Sequence, residues 1–281
     1  MMRRCLAGLL VLLAAACSSA PPPPEPPDAE LARLARTGQL AFRQGRIDQA
    51  ATLFREALAR ARTRDDTQAI ADQAINLSVA ELRRFQNESA RDVAQEGRLE
   101  MGRRGARVPP ELVLVEATAR WRLGDAGAEA LARQAADSPA TAARASFVLG
   151  LIAADRRDAA ALAAARQGAS EPGDAAELEA RALLLSGDAA GAKQAFLRAA
   201  AARQDVLDYA AMGRALAGAA AAMPADADAG ALWLRAGRAA AGDRDRRNGE
   251  AWLRRAAASG GDVAREARIG LAALRDDAPP P

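Results

Sequence analysis

Pairs of closely spaced carboxylates are the residues of this chain that could in principle perform acid–base chemistry. The pairs are Asp65/Asp66, Asp226/Asp228 and Asp276/Asp277. Two-carboxylate hydrolysis requires both groups to flank one substrate bond. These pairs instead lie in predicted loops or in the tail, where aspartate is a preferred turn and helix-capping residue. No phosphate-binding loop or nucleophile motif accompanies them. The sequence therefore predicts no catalytic residue, and the protein is not expected to be an enzyme.

The first seventeen residues have the features of a secretory signal. Two arginines form a positive head, and Leu6–Leu13 is apolar but far shorter than the roughly 20 residues that span a bilayer. The small residues Ala14–Ala16 precede Cys17. This end resembles the lipobox of bacterial lipoproteins, whose signal is cut before an acylated cysteine. The resemblance implies a signal peptide over 1–16 and lipidation of Cys17; a plain secretory signal is the alternative.

A proline-rich linker over 17–29 follows the predicted lipidation site. Its prolines favour an extended polyproline II spacer of roughly 30 Å, at about 3.1 Å per residue. Ser18 stands where the lipoprotein sorting rule places Asp in proteins kept at the inner membrane. The resemblance therefore implies an outer-membrane protein that is held by its N-terminal lipid anchor and faces the periplasm.

The composition excludes several function classes. The chain of 281 residues has no histidine, which is the commonest metal ligand and the usual general base at neutral pH. Once Cys5 is removed and Cys17 is acylated, no free thiol would remain for a disulfide or a metal. We therefore expect no metal and no cofactor. The net charge is only +3 and both signs are interspersed, so no nucleic-acid partner is predicted.

From residue 30 to residue 275 the chain is predicted to be helical. Alanine dominates, β-branched residues are few, and apolar residues recur at steps of three and four. Glycine turns at Gly45, Gly124 and Gly187 divide helices into pairs, which predicts a repeat array. Units start near residues 31, 71, 110, 143, 173, 206 and 230. The shortest step is the last one, which predicts that 206–223 lacks a normal partner helix. The tail 276–281 is expected to be disordered.

Residues 31–64 resemble a tetratricopeptide (TPR) repeat. The small, turn and aromatic positions of that motif correspond to Gly38, Gly45, Ala50, Phe54 and Ala57. The unit around Gly187 repeats the pattern with Ala180, Ala192, Phe196 and Ala199. A further segment resembles the related Sel1-like repeats and consists of residues 250–257 followed by residues 267–271. The resemblance implies an all-α fold, a right-handed α-solenoid of helix–turn–helix repeats, and a role as a protein–protein interaction scaffold.

One set of residues is a candidate partner-binding groove. The first helix of each of the first three units ends in a large apolar residue followed by arginine: Phe42-Arg43, Leu82-Arg83 and Trp121-Arg122. In TPR folds this part of the helix faces the concave surface. Such a groove would suit a protein or peptide partner. The alternative is structural, with the apolar residue packed between helices and the arginine offsetting the helix dipole.

The resemblance also suggests a range of processes. Lipid-anchored TPR proteins assist outer-membrane protein assembly, pilus assembly or peptidoglycan synthesis. We therefore expect a scaffold for envelope assembly. A periplasmic hydrolase using carboxylates and a small-ligand carrier are the alternatives, and a closed apolar pocket would favour the carrier.

Overall fold

The computed structural model describes residues 28–276, and within that range the chain forms α-helices joined by short turns without any β-strand. The helices are α1 (Ala29–Arg43), α2 (Ile47–Thr63), α3 (Thr67–Arg83), α4 (Asn87–Arg103), α5 (Pro110–Arg122), α6 (Ala128–Ala136), α7 (Ala142–Asp155), α8 (Ala159–Gly168), α9 (Pro172–Leu185), α10 (Ala189–Asp205), α11 (Tyr209–Ala222), α12 (Ala229–Gly242), α13 (Arg246–Ala257) and α14 (Gly261–Asp276). The predicted all-α class is confirmed. The signal, Cys17 and nearly all of the linker and the predicted tail lie outside the described residues.

The same three-residue turn recurs between helices. At the first turn Gly45 has a φ of 72°. The amide of Arg46 then donates to the carbonyl oxygen of Ala41 at 2.9 Å, which completes a Schellman motif. Gly124 and Gly187 also have positive φ, as expected from the sequence. The turn also occurs without glycine, at positions that the sequence did not reveal: Asp65, Phe85, Arg157, Leu207 and Arg244.

Small residues allow the paired helices to approach closely, as the TPR-like spacing predicts. A Cβ atom at Gly38 of α1 would lie 2.7 Å from a ring carbon of Phe54 in α2, closer than packed carbon atoms allow. Ala50 and Ala57 on the same face of α2 are fully buried. The missing side chain of Gly38 therefore leaves the space that the ring of Phe54 occupies. This contact between the predicted positions shows that the first unit has the predicted register.

Later units repeat this packing. Ala180 and Ala192 are fully buried at the α9–α10 contact, and Phe196 fills the space beside them. A Cβ atom at Gly237 of α12 would lie 2.7 Å from Cγ of Leu253 in α13. Consecutive helices contact each other throughout, so the described residues form one helical-repeat solenoid.

Helix α11 interrupts the alternation of the solenoid. Early in the chain, odd-numbered helices contact each other: α3 with α5, α5 with α7 and α7 with α9. Near the C-terminus even-numbered helices do so, α12 with α14. The first helix of each pair therefore changes from odd to even numbers at α11, within the region where the sequence predicts a missing partner. Two glycines let α11 fit between its neighbours: Gly218 faces the ring of Phe196, and Gly213 lies against the backbone of Ala236.

Buried carboxylates link successive units, and sequence reasoning did not identify them. Glu116 of α5 is fully buried and accepts from Arg98 of α4 at 2.8 Å and from Arg120 at 2.9 Å. In the same way, Glu81 of α3 accepts from Arg55 of α2 at 2.6 Å. A buried charge needs such compensation, because it is costly when unpaired. These ion pairs join one unit to the next.

The packing at the small positions can be tested by enlarging them. Ala50→Leu and Ala192→Leu should each lower the free energy of unfolding by about 1–3 kcal/mol, because a larger side chain would overpack the helix contact. Ala59→Leu is the matched control, since Ala59 is exposed on the same helix as Ala50. It should change the free energy by less than about 0.5 kcal/mol. Chemical denaturation measures all three, and equal effects at Ala50 and Ala59 would contradict this packing.

Candidate binding cleft

The carboxylate pairs that could have carried out chemistry have structural partners. Asp66 caps α3 by accepting from the amide of Ala69 at 3.0 Å, and its neighbour Asp65 pairs with Arg104. Asp226 and Asp228 both accept from Nζ of Lys193, at 2.6 and 2.7 Å. Among these four, each carboxylate is engaged in a cap or an ion pair. Asp276 lies at the end of α14, and its neighbour Asp277 is beyond the described residues.

Metal-binding clusters and membrane-spanning helices are both absent from the described part of the chain. Residues 28–276 contain no grouping of histidine, cysteine, aspartate and glutamate that could hold a metal ion. Across the same residues, every helix is too short or too polar to span a bilayer.

The two halves of the solenoid touch through charged residues. Nη2 of Arg83, at the end of α3, donates to Oδ1 of Asp243 at 3.2 Å, although 160 positions separate the two residues. Nη1 of Arg83 lies 3.9 Å from Oδ1 of Asp208, at the start of α11. In the same turn as Asp243, Arg244 pairs with Asp48 of α2. The chain therefore curls until its C-terminal turns face the carboxyl ends of its early helices.

The predicted groove residues divide between two places. Leu82, Arg83, Trp121 and Arg122 lie together, because Nη1 of Arg122 donates to the carbonyl oxygen of Leu82 at 2.9 Å. By contrast, Phe42 and the exposed Arg43 line a separate depression of about 170 Å³ with Asn76 and Val79.

Trp121 and Arg122 line a cleft between the two halves of the chain, which we call the interior cleft. It has a volume of about 480 Å³. Its walls are formed by Phe85, Asn87, Trp121, Arg122, Asp155, Arg214, Asp245, Arg247 and Asn248. The lining is polar and aromatic, so the cleft differs from the closed apolar pocket expected of a carrier for apolar ligands. Residues after Asp205 contribute almost half of these walls, which no pattern in the sequence indicated.

The aromatic walls of the cleft are held by local contacts. The indole nitrogen of Trp121 donates to Oδ2 of Asp155 at 2.8 Å. The remainder of the ring packs against two apolar clusters of α5 to α9. Trp121 thus has one edge packed against the core and one edge in the wall of the interior cleft.

Charges around the cleft perturb each other. Burial, followed by the positive charges of Arg214 and Arg144, lowers the pKa of Arg122 to about 10. Burial also raises the pKa of Asp243, an effect that Arg83 opposes and Asp208 reinforces. The pair between Arg83 and Asp243 is therefore partly desolvated, and the cost of burying the carboxylate offsets part of their attraction.

Comparisons with known proteins concern the fold. No protein-family model matches the chain, and no curated protein matches it. A TPR protein from Parabacteroides merdae is 12% identical, with a TM-score of 0.48 over 88% of this chain and 100% of its own. The C-terminal part of a TPR repeat-containing protein from Cytophaga hutchinsonii is 12% identical, with a TM-score of 0.44 over 84% of this chain and 98% of its own. The TPR2AB domain of yeast Sti1, in its pHSP90 complex, is 14% identical, with a TM-score of 0.37 over 87% of this chain and 98% of its own.

The contact between the halves can be tested by a double-mutant cycle. Arg83→Ala, Asp243→Ala and the double variant should give a coupling energy of about 1 kcal/mol, because Asp243 is partly desolvated. Arg238 and Glu266 form a matched control pair at 2.7 Å with both side chains exposed. Their coupling should be only about 0.3 kcal/mol.

Chemical denaturation measures the coupling energy in both cycles. Small-angle scattering should show a larger radius of gyration for the Arg83 and Asp243 variants, and an unchanged one for the Arg238 and Glu266 variants. Equal couplings and unchanged radii would show that the two halves are not held together by this pair.

Proposed function

We propose that the protein is a scaffold that binds a protein partner through the inner face of its early helices. The observation that carries this proposal is the arrangement of Leu82, Arg83, Trp121 and Arg122 on neighbouring turns of the solenoid. Aromatic and apolar side chains next to guanidinium groups are the composition of binding hot spots. Similarity to TPR proteins is consistent with such a role without identifying a partner.

The chemistry of the closing contact indicates the kind of partner. Arg83 already has two carboxylates beside it, those of Asp243 and Asp208. A partner segment that carries carboxylates could replace them, since the planar guanidinium group suits that geometry. Partly exposed ion pairs contribute little stability, so their exchange for similar pairs costs little. We therefore propose an acidic segment as the bound element.

We further propose that the scaffold acts in the bacterial cell envelope. The support is the lipobox-like sequence that ends in Cys17 and the proline-rich spacer behind it. An acylated Cys17 would hold the solenoid at the outer membrane, and the spacer would keep it in the periplasm within reach of partners. Assembly of outer-membrane proteins, pili or peptidoglycan is the range of processes that the lipoprotein resemblance supports.

The partner site can be tested with two changes of opposite expected effect. Arg83→Glu should weaken partner binding by about tenfold or more, since it removes the fork and repels an acidic segment. Asp243→Asn should strengthen binding severalfold, because it weakens the competing internal contact. The partner would first be isolated from solubilised envelopes with the wild-type protein.

Arg268→Glu is the control for these changes, since Arg268 is exposed on α14. Affinity would be measured beside the melting temperature, with Arg43→Glu and Arg122→Glu in the same series. If binding were unchanged in Arg43→Glu, Arg83→Glu and Arg122→Glu while the fold stayed intact, only the helix-dipole interpretation of these arginines would remain.

The membrane anchor has a separate test. Cys17→Ala should release the folded domain from membranes or leave the precursor uncut, because several acyl chains at about 0.8 kcal/mol per buried CH₂ provide the attachment. Membrane fractionation and mass spectrometry of the mature N-terminus measure this. A mature protein with an unmodified Cys17, or one that begins at another residue, would disprove the anchor.

A further inference from the structure

Two guanidinium groups face the interior cleft without a carboxylate partner among the described residues. Arg122 donates to a backbone carbonyl, and its guanidinium carbon lies 5.9 Å from the centre of the Phe85 ring. Neither contact neutralises its charge. Arg214, on α11, is also partly buried and lines the same cleft. Partly desolvated cations are normally compensated by a nearby negative charge.

Two neighbouring arginines, in contrast, have carboxylate partners. Arg83 binds Asp243, as described above, and Arg144 binds Asp174 at 2.8 Å. The cleft's own Asp245 is committed elsewhere, since its carboxylate accepts from the amide of Asn248 at 3.2 Å and from Nδ2 of Asn248 at 2.6 Å. Burial, followed by the positive charges of Arg214 and Arg144, lowers the pKa of Arg122. The smaller effects of the charges of Asp245 and Asp208 oppose this only in part.

The rest of the cleft suits an organic molecule. Phe85 and Trp121 provide aromatic walls, and the exposed Arg247 adds a third guanidinium group at the rim. Oδ1 of Asn87 is buried and has no hydrogen-bond partner. A volume of about 480 Å³ lies within the range of small-molecule sites.

We propose that the interior cleft binds a small oxyanion-bearing ligand, with the anionic group between Arg122 and Arg214. Guanidinium forks bind phosphate and carboxylate oxygens in a bidentate manner, which gives both strength and orientation. The remainder of the ligand packs on Trp121 and donates a hydrogen bond to Oδ1 of Asn87. Such a ligand joins α5 to α11, and so stabilises the closed arrangement of the two halves by linkage.

Titration calorimetry with inorganic phosphate tests this site without any protein partner. The wild-type protein should show saturable binding when ionic strength is held constant with sodium chloride. Arg122→Gln and Arg214→Gln should each weaken the binding by about tenfold, since each removes a charge-assisted contact. Arg268→Gln, an exposed arginine on α14, should leave it within about twofold. Arg214→Lys keeps the charge but loses the fork, and should fall between the wild type and Arg214→Gln.

Melting curves provide a second readout in the same variants. At the same phosphate concentration, the melting temperature of the wild type and of Arg268→Gln should rise by similar amounts, and that of Arg214→Gln should rise by clearly less. An absence of saturable phosphate binding to the wild-type protein, or an equal loss in Arg268→Gln, would overturn the proposal. Both proposals use Trp121 and Arg122, so Arg214 separates them: the ligand site requires Arg214, and the partner proposal makes no use of it.

Discussion

The close approach of neighbouring helices, made possible by glycine and alanine at the contacts, is the constraint on which the rest of the structure depends. Each buried alanine removes little apolar area from water, so the core cannot rely on large side chains. It relies instead on dispersion contacts between closely packed backbones and on a few aromatic residues such as Phe54 and Phe196 that fill the space beside them. Stability is then shared between neighbouring units rather than held in one central core.

This mode of packing also explains where the charged residues lie. Helices that touch through small side chains leave room at their edges for long arginines to reach carboxylates on the next helix. Glu81 and Glu116 occupy such positions and link α2 to α3 and α4 to α5. The same device, used over a longer distance, joins Arg83 to the turns around α11 and α12. Arginine pairing therefore joins neighbouring units and also joins the two distant halves of the solenoid.

Helix α11 determines where the two halves meet. It carries small residues on opposite sides, so it can lie between α10 and α12 in an otherwise paired series. Its insertion brings Asp208 and Arg214 to the inner side of the solenoid, facing residues from α3 and α5. The interior cleft results from this insertion, because each of its walls comes from a different half of the chain.

The sequence by itself determined the helices, the turns at Gly45, Gly124 and Gly187, and the spacing of the small residues, because these depend on local propensity, capping and the 3.6-residue period. It also located the irregular region at α11 through the uneven spacing of the units. It did not reveal turns with residues such as Phe85 or Leu207 at positive φ, because glycine is the usual sequence signal for that conformation and is absent there. Nor did it show that Arg83 and Arg122 would lie where the two halves of the chain meet, while Arg43 lies beside a separate depression. Only the tertiary structure decided this, because the small rotation from one unit to the next accumulates along the solenoid, and its sum determines which distant residues meet.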